Sequence, residues 1–185
     1  MKKIYLLLTF VCTLSCYSQS IAPVKENVNI TEVTGASLKN IAANSSKKYT
    51  LFYTFGIWCE PCRLHLPTAI ALAKEHDLDL YVIVVDAQTS DKAQKAFEYL
   101  KQQSKDIKIA VLSDAAYGEK TKKRNTKFVA EITPSRFENI DDFSKYILVN
   151  QEGEVMMVTN YKDNEGNDWK DDSKMVQQRI VPLLK

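Results

Sequence analysis

The chain has 185 residues, 45% of them hydrophobic and 26% charged. That size and balance suit one ordinary domain with a core of its own and exclude low-complexity or disordered composition. Lysine and arginine together number 25 against 23 acidic residues, and setting aside Lys2 and Lys3 leaves 23 against 23. No charge excess therefore points to nucleic acid or to an anionic membrane surface.

Lys2 and Lys3, the apolar run from Ile4 to Leu14 and the small residues Ser15, Ser18 and Ser20 predict an export signal over 1–18. The run is too short for a transmembrane helix. Cleavage after Ser18 gives a soluble product. Leu14-Ser15-Cys16 also resembles a lipoprotein box that would acylate Cys16, although Thr13 stands where that box usually has an aliphatic residue. On either route the mature chain is exported, periplasmic or extracytoplasmic, and meets a membrane only through a lipid anchor at Cys16. Of the four cysteines, Cys12 and Cys16 belong to the signal, which leaves Cys59 and Cys62 as the thiols of the mature chain. Two cysteines do not make a disulfide-stapled scaffold.

Residues 19–35 read as a polar lead-in and 36–185 as one domain. Ala36 to Ala43 predicts a short helix, and Tyr49 to Phe55, aromatic and closed by Gly56, predicts the first convincing strand. A helix follows from Pro61 to about His76, with Pro61 in the first turn, where a missing N–H costs nothing, and Pro67 inside it. Leu80 to Val85 reads as a buried parallel strand, Asp91 to about Ser104 as an amphipathic helix and Ile107 to Leu112 as a further strand. Tyr117 to Lys127 predicts a polar, solvated helix whose Lys122-Lys123-Arg124 run lies on the surface. Tyr146–Val149 and Val155–Thr159 flank Asn150-Gln151-Glu152-Gly153 as a hairpin, and a last helix is expected from about Asp172 to Leu184. The order predicts an α/β fold with a mostly parallel core sheet.

The chemistry lies in Trp58-Cys59-Glu60-Pro61-Cys62. A structural zinc site needs two further ligands, but the mature chain has no other cysteine and only His65 and His76, and covalent haem needs a histidine where Arg63 stands. No metal or cofactor is expected. What remains is thiol exchange: a strand feeds a helix whose free N–H groups face Cys59 and stabilise its thiolate. Helical spacing puts Cys62 with Leu66, Ile70 and Ala73 on one buried face, so Cys59 is the reachable, attacking sulfur and Cys62 the resolving one. Trp58 is expected to shield the pair, whereas Tyr53 and Phe55 pack the core.

With the strand ending at Phe55, the run Trp58 to Arg63 and Pro67, the sequence from about Tyr49 to Thr159 resembles the thioredoxin superfamily. Within it the chain resembles the extracytoplasmic TlpA-like branch that includes cytochrome c maturation reductases. The resemblance implies a thioredoxin-like fold, a central mixed sheet flanked by helices with a strand-helix insertion. It also implies a cis-proline opposite the cysteines, for which Pro134 is the candidate, with the Thr133 backbone presented to substrate. Cytoplasmic relatives carry a buried acid where Tyr53 stands, so another group must handle the Cys62 proton. His65 occupies a position where relatives often carry Glu, and its imidazole is a candidate proton carrier.

The expected function is thus an enzyme, a thiol-disulfide oxidoreductase that reduces protein disulfides and is itself reduced by an extracytoplasmic or membrane thiol donor. Glu60, placing negative charge beside Cys59, favours reduction over oxidation. The alternatives are a disulfide oxidant or isomerase, and a non-catalytic binding module or copper carrier using Cys59, Cys62 and His65.

Overall fold

A computed structural model describes residues 30–184. The signal, Cys12, Cys16 and most of the lead-in lie outside the described residues. In chain order the elements are β1 (Thr31–Val33), α1 (Gly35–Ala43), β2 (Tyr49–Phe55), α2 (Glu60–Glu75), β3 (Asp79–Val84), α3 (Asp91–Gln103), β4 (Lys108–Leu112), α4 (Asp114–Tyr117), α5 (Thr121–Ile132), β5 (Tyr146–Asn150), β6 (Val155–Val158) and α6 (Ser173–Arg179).

The strands form one six-stranded sheet in the order β1-β4-β3-β2-β5-β6. β1, β4, β3 and β2 run parallel, and β5 and β6 add an antiparallel hairpin to the free edge of β2. Alternation along β2 sorts the core into two layers: Leu51, Tyr53 and Phe55 face α2, α3 and α6, while Phe52 faces α1 and α5. The mixed sheet covered by helices on both faces is the architecture that the resemblance implies.

Three expectations are corrected. The last residues of the lead-in form β1, a short parallel strand on the β4 edge. The final helix stops at Arg179 and continues only as a 3-10 turn over Val181–Leu183, because Pro182 lacks an N–H and its ring clashes with the preceding turn of an α-helix. The polar helix is two helices broken at Gly118, whose φ of 77° suits glycine.

Within α5, Lys122 and Lys123 are exposed as expected, but Arg124 is fully buried. Its Nε donates to the carbonyl of Val85 at 3.0 Å, its Nη groups donate to the carbonyls of Leu112 and Gly118, and Nη1 pairs with Asp114. One guanidinium thus satisfies backbone oxygens at the ends of β3 and β4 that would otherwise be buried without donors. Arg124→Ala is expected to destabilise the fold by about 3 kcal/mol, since a buried charged partner is removed and its acceptors stay buried. Urea unfolding of the variant and the parent chain, followed by circular dichroism, measures the difference.

Candidate active site

β2 ends at Phe55, and the chain must turn and start α2 by Glu60. Gly56 makes the turn possible because a Cβ there would meet the Trp58 ring at 2.9 Å. The Gly56 carbonyl accepts from the Cys59 N–H at 3.0 Å, and Arg63 donates to the carbonyl of Ile57 at 2.5 Å. Cys59 is the N-cap of α2 in extended backbone, its Sγ accepting from the Cys62 N–H at 3.2 Å. Glu60 and Pro61 fill the first turn, where Pro61 forfeits no hydrogen bond.

Cys59 and Cys62 are joined as a disulfide, their Cα atoms 5.2 Å apart. Cys62 is wholly buried, whereas Cys59 keeps 7% of its surface and lines an open cleft. The helix end provides free N–H groups and partial positive charge at the Cys59 sulfur, which favours its thiolate once the bond is reduced.

Trp58 stands at the rim. Its Nε1 donates to Asp86 at 2.8 Å, its ring packs perpendicular to that of Phe143 with centroids 4.8 Å apart, and Lys92 lies over the ring. Asp86, buried just beyond β3, also accepts from Thr121 Oγ1 at 2.7 Å. The indole is therefore clamped beside the disulfide.

Pro134 is not where the resemblance put it. No cis peptide bond occurs among the described residues. Pro134 follows the end of α5 and its carbonyl accepts from Phe137 N–H in a turn; neither it nor Thr133 lines the cleft at Cys59. The segment directly before the hairpin, which does reach the site, is Phe143-Ser144-Lys145. Lys145 exchanges hydrogen bonds with Thr54, its N–H donating to Thr54 Oγ1 at 2.9 Å and its carbonyl accepting from Thr54 N–H at 3.1 Å. Ser144 takes a left-handed φ of 64°, a conformation of higher energy for a residue with a Cβ.

Ser144 is held there by its hydroxyl, which lies 2.6 Å from the Tyr53 hydroxyl and 3.1 Å from His65 Nδ1. His65 is buried rather than turned to solvent; its Nε2 is 2.9 Å from the carbonyl of Trp169 and its Nδ1 3.5 Å from Asp172. A carbonyl only accepts, so Nε2 carries a proton and in neutral His65 the acceptor is Nδ1. Burial pushes the Tyr53 hydroxyl far above the ordinary phenol value, against the lowering effect of its bond to Ser144, and burial, with the neighbouring Tyr53 and Asp172 adding to it, raises Tyr146 as well. Both stay neutral donors. Tyr146 donates to Asp172 at 2.6 Å, while the other Asp172 oxygen is buried without a partner among the described residues.

This chain of hydroxyls has two polarities. With His65 neutral, Ser144 donates to Nδ1 and Tyr53 donates to Ser144. With His65 protonated, Nδ1 donates to Ser144, Ser144 donates to Tyr53, and Tyr53 donates to the Cys62 carbonyl 3.1 Å away. Both ring nitrogens of His65 are engaged away from the sulfurs, which gives the copper reading no ligand there.

Comparison with protein families matches residues 22–178 to Redoxin. The chain belongs to the Redoxin family. Comparison with curated proteins finds no match. A cysteine pair bonded at the end of a helix in a redoxin fold is a catalytic thiol-disulfide centre, and the protein is a thiol-disulfide oxidoreductase whose partners are protein thiols and disulfides. Cys59, Cys62, Trp58, Glu60, Pro61 and His65 come together at this redoxin site, and Thr133 and Pro134 stand outside its cleft. Asp86, Phe143, Ser144, Tyr146 and Asp172 were missed. Asp86 had a signal, an acid ending a buried strand at the carboxyl edge of a parallel sheet, where sites of such folds form. Ser144 and Asp172 had none.

Gly56→Ala is expected to drive the Trp58 ring off Asp86 and to destabilise the oxidised protein by about 1–3 kcal/mol, as overpacking of a dense site does. Tryptophan emission and thermal unfolding together register the two effects.

Proposed function

We propose that this redoxin is an extracytoplasmic, TlpA-like reductase of protein disulfides, anchored to a membrane at most through Cys16. The observation that carries the reading is that Cys59 alone of the pair opens onto the cleft, at a helix N-terminus, while Cys62 is sealed behind it.

The cycle starts from the dithiol. The Cys59 thiolate attacks one sulfur of a substrate disulfide; a bond forms between Cys59 and that sulfur, the substrate bond breaks, and the other substrate sulfur leaves as thiolate and takes a proton. Cys62 then gives its proton to solvent and attacks the Cys59 sulfur, the mixed disulfide breaks, and the second substrate sulfur leaves as thiolate and is protonated. Two electrons have passed to the substrate, and the protein is left in the Cys59–Cys62 disulfide form. An external dithiol donor, extracytoplasmic or in the membrane, returns the two electrons by the same exchange. Apocytochrome c cysteine pairs, or a wider set of misoxidised proteins, are the substrates. Glu60 supports this direction, because a carboxylate next to Cys59 opposes the helix end and keeps the thiolate from the overstabilisation of strong oxidants.

His65 is a positioning residue of this cycle, acting on Cys62 through its neighbours and not by touching a sulfur. Its ring lies in the cleft wall and connects through Ser144 and Tyr53 to the carbonyl of Cys62, and the Cys62 proton itself leaves to solvent. His65→Ala is expected to slow disulfide reduction severalfold near neutral pH and to flatten its pH dependence with the fold intact, and His65→Glu to restore part of the rate. An unchanged rate and profile in His65→Ala refutes the role.

The equilibrium of the Cys59–Cys62 couple against glutathione tests the direction. A potential near the roughly −270 mV of reductive dithiols is expected, and one near the roughly −120 mV of dedicated oxidants overturns it. Cys62→Ala should accumulate a mixed disulfide on Cys59, found by mass mapping. The N-terminus of the mature protein, read by mass spectrometry after expression with export, reports cleavage after Ser18 or a lipid on Cys16.

A further inference from the structure

Beside Cys59 lies a cleft of about 700 Å³, the size of a pocket that encloses a ligand-sized group. Among the described residues, Trp58, Leu64, Tyr161 and Trp169 are the large apolar side chains left exposed, and all but Leu64 line this cleft. Gathered apolar surface of this kind marks a contact site, whereas scattered single residues do not. Phe143, Pro61 and Met175 complete the apolar wall.

The far side is built by the stretch between β6 and α6, and it is braced. Asn160 caps the 3-10 turn Tyr161–Asn164, the Tyr161 N–H donates to Asp142 at 2.6 Å, and Asp163 pairs with Arg179 of α6 at 2.9 Å. Asn164 donates to the carbonyls of Asp168 and Asp171, both at 3.3 Å. The Trp169 carbonyl meets His65. The cleft is therefore present before anything binds.

Its charge is one-sided. Glu60, Asp142, Glu165 and Asp172 line it, and no lysine or arginine does. Asp142 is already paired with Lys145, and Asp172 is buried against Tyr146, which leaves Glu60 and Glu165 as exposed carboxylates. The nearby cations Lys92 and Lys170 lie over Trp58 and Trp169 without entering the lining.

We propose that this cleft is the substrate subsite of the redoxin, taking an aromatic or large aliphatic side chain next to the substrate cysteine and selecting extended segments that carry basic rather than acidic residues. The inference rests on the reductase reading. The side chain enters between Trp169, Tyr161 and Phe143 while its neighbouring sulfur lies at Cys59, and Glu60 and Glu165 meet the basic residues.

Binding separates the subsite from the chemistry. The probes are S-methylated tetrapeptides Lys-Phe-Cys-Gly, Lys-Gly-Cys-Gly and Asp-Phe-Cys-Gly with blocked ends, titrated into the oxidised protein and followed by tryptophan fluorescence. Lys-Phe is expected to bind roughly tenfold tighter than Lys-Gly, which burial of most of a phenyl ring supplies, and severalfold tighter than Asp-Phe at low salt, the latter gap closing as salt is raised. Trp169→Ala should erase most of the Phe preference, and Tyr161→Ser, at a 62% exposed position, should reduce it independently. Glu165→Gln should narrow the Lys preference. Equal binding of the Phe and Gly peptides, or a preference for Asp, overturns the proposal. So does self-association that Tyr161→Ser abolishes and the peptide displaces, because it would put a second copy in the cleft. Turnover of bis(2-hydroxyethyl) disulfide with dithiothreitol as donor is measured alongside. Turnover without peptide preference rejects the subsite and leaves the reductase reading standing, and peptide preference without turnover does the reverse.

Discussion

Between Phe55 and Glu60 the chain leaves the end of a buried strand and enters a helix with no room for a longer connection, and the site depends on how that turn is made. Gly56 lets the Trp58 ring lie against the backbone, and the Cys59 sulfur takes the capping role, accepting the Cys62 N–H. Once Cys59 is the cap, three residues of helix carry Cys62 to the inner face, where β2 and α2 seal it. One sulfur meets the cleft and the other is screened. The difference in their chemistry follows from the turn, since both are the same residue type on the same helix end.

The layer behind the disulfide is polar where a core is usually apolar. Tyr53 and Tyr146 pack edge to face at 5.0 Å and place their hydroxyls among Ser144, His65 and Asp172. Buried polar groups are costly unless joined, and joined they hold their elements in one arrangement. Here the joined elements are β2, α2, β5, the loop before β5 and the stretch before α6, so the far wall of the cleft is tied to the cysteine helix through the His65 imidazole and the Tyr146 hydroxyl.

Where the resemblance implied a proline opposite the cysteines, this chain uses Ser144 in a left-handed conformation, anchored by its own hydroxyl and by the exchange between Lys145 and Thr54. The loop from Thr133 to Ser144 brings Phe143 over Trp58 and turns Ser144 inward, while Pro134 stays at the helix exit. A serine at this point offers a donor and an acceptor that a proline cannot.

The sequence by itself determined the strands from Tyr49 to Val158, most of the helices between them and the cysteine pair, because hydrophobic period, turn residues and a spacing of three are local properties. It also marked Trp58 and Glu60, which neighbour the cysteines in the chain. It placed Pro134 wrongly, since proximity to a site across the sheet is set by how a loop closes, which no local pattern encodes. It took Arg124 for surface because a basic run is ordinarily solvated, and only the packing of α5 against the ends of β3 and β4 gave that guanidinium its acceptors. β1 escaped notice for the same reason: three residues carry too little pattern, and the edge of β4 supplies the pairing. Ser144, Asp172 and the cleft wall around Trp169 meet His65 from far along the chain, and tertiary structure alone decided that meeting, because contacts between distant segments arise when the sheet and its helices close around one core.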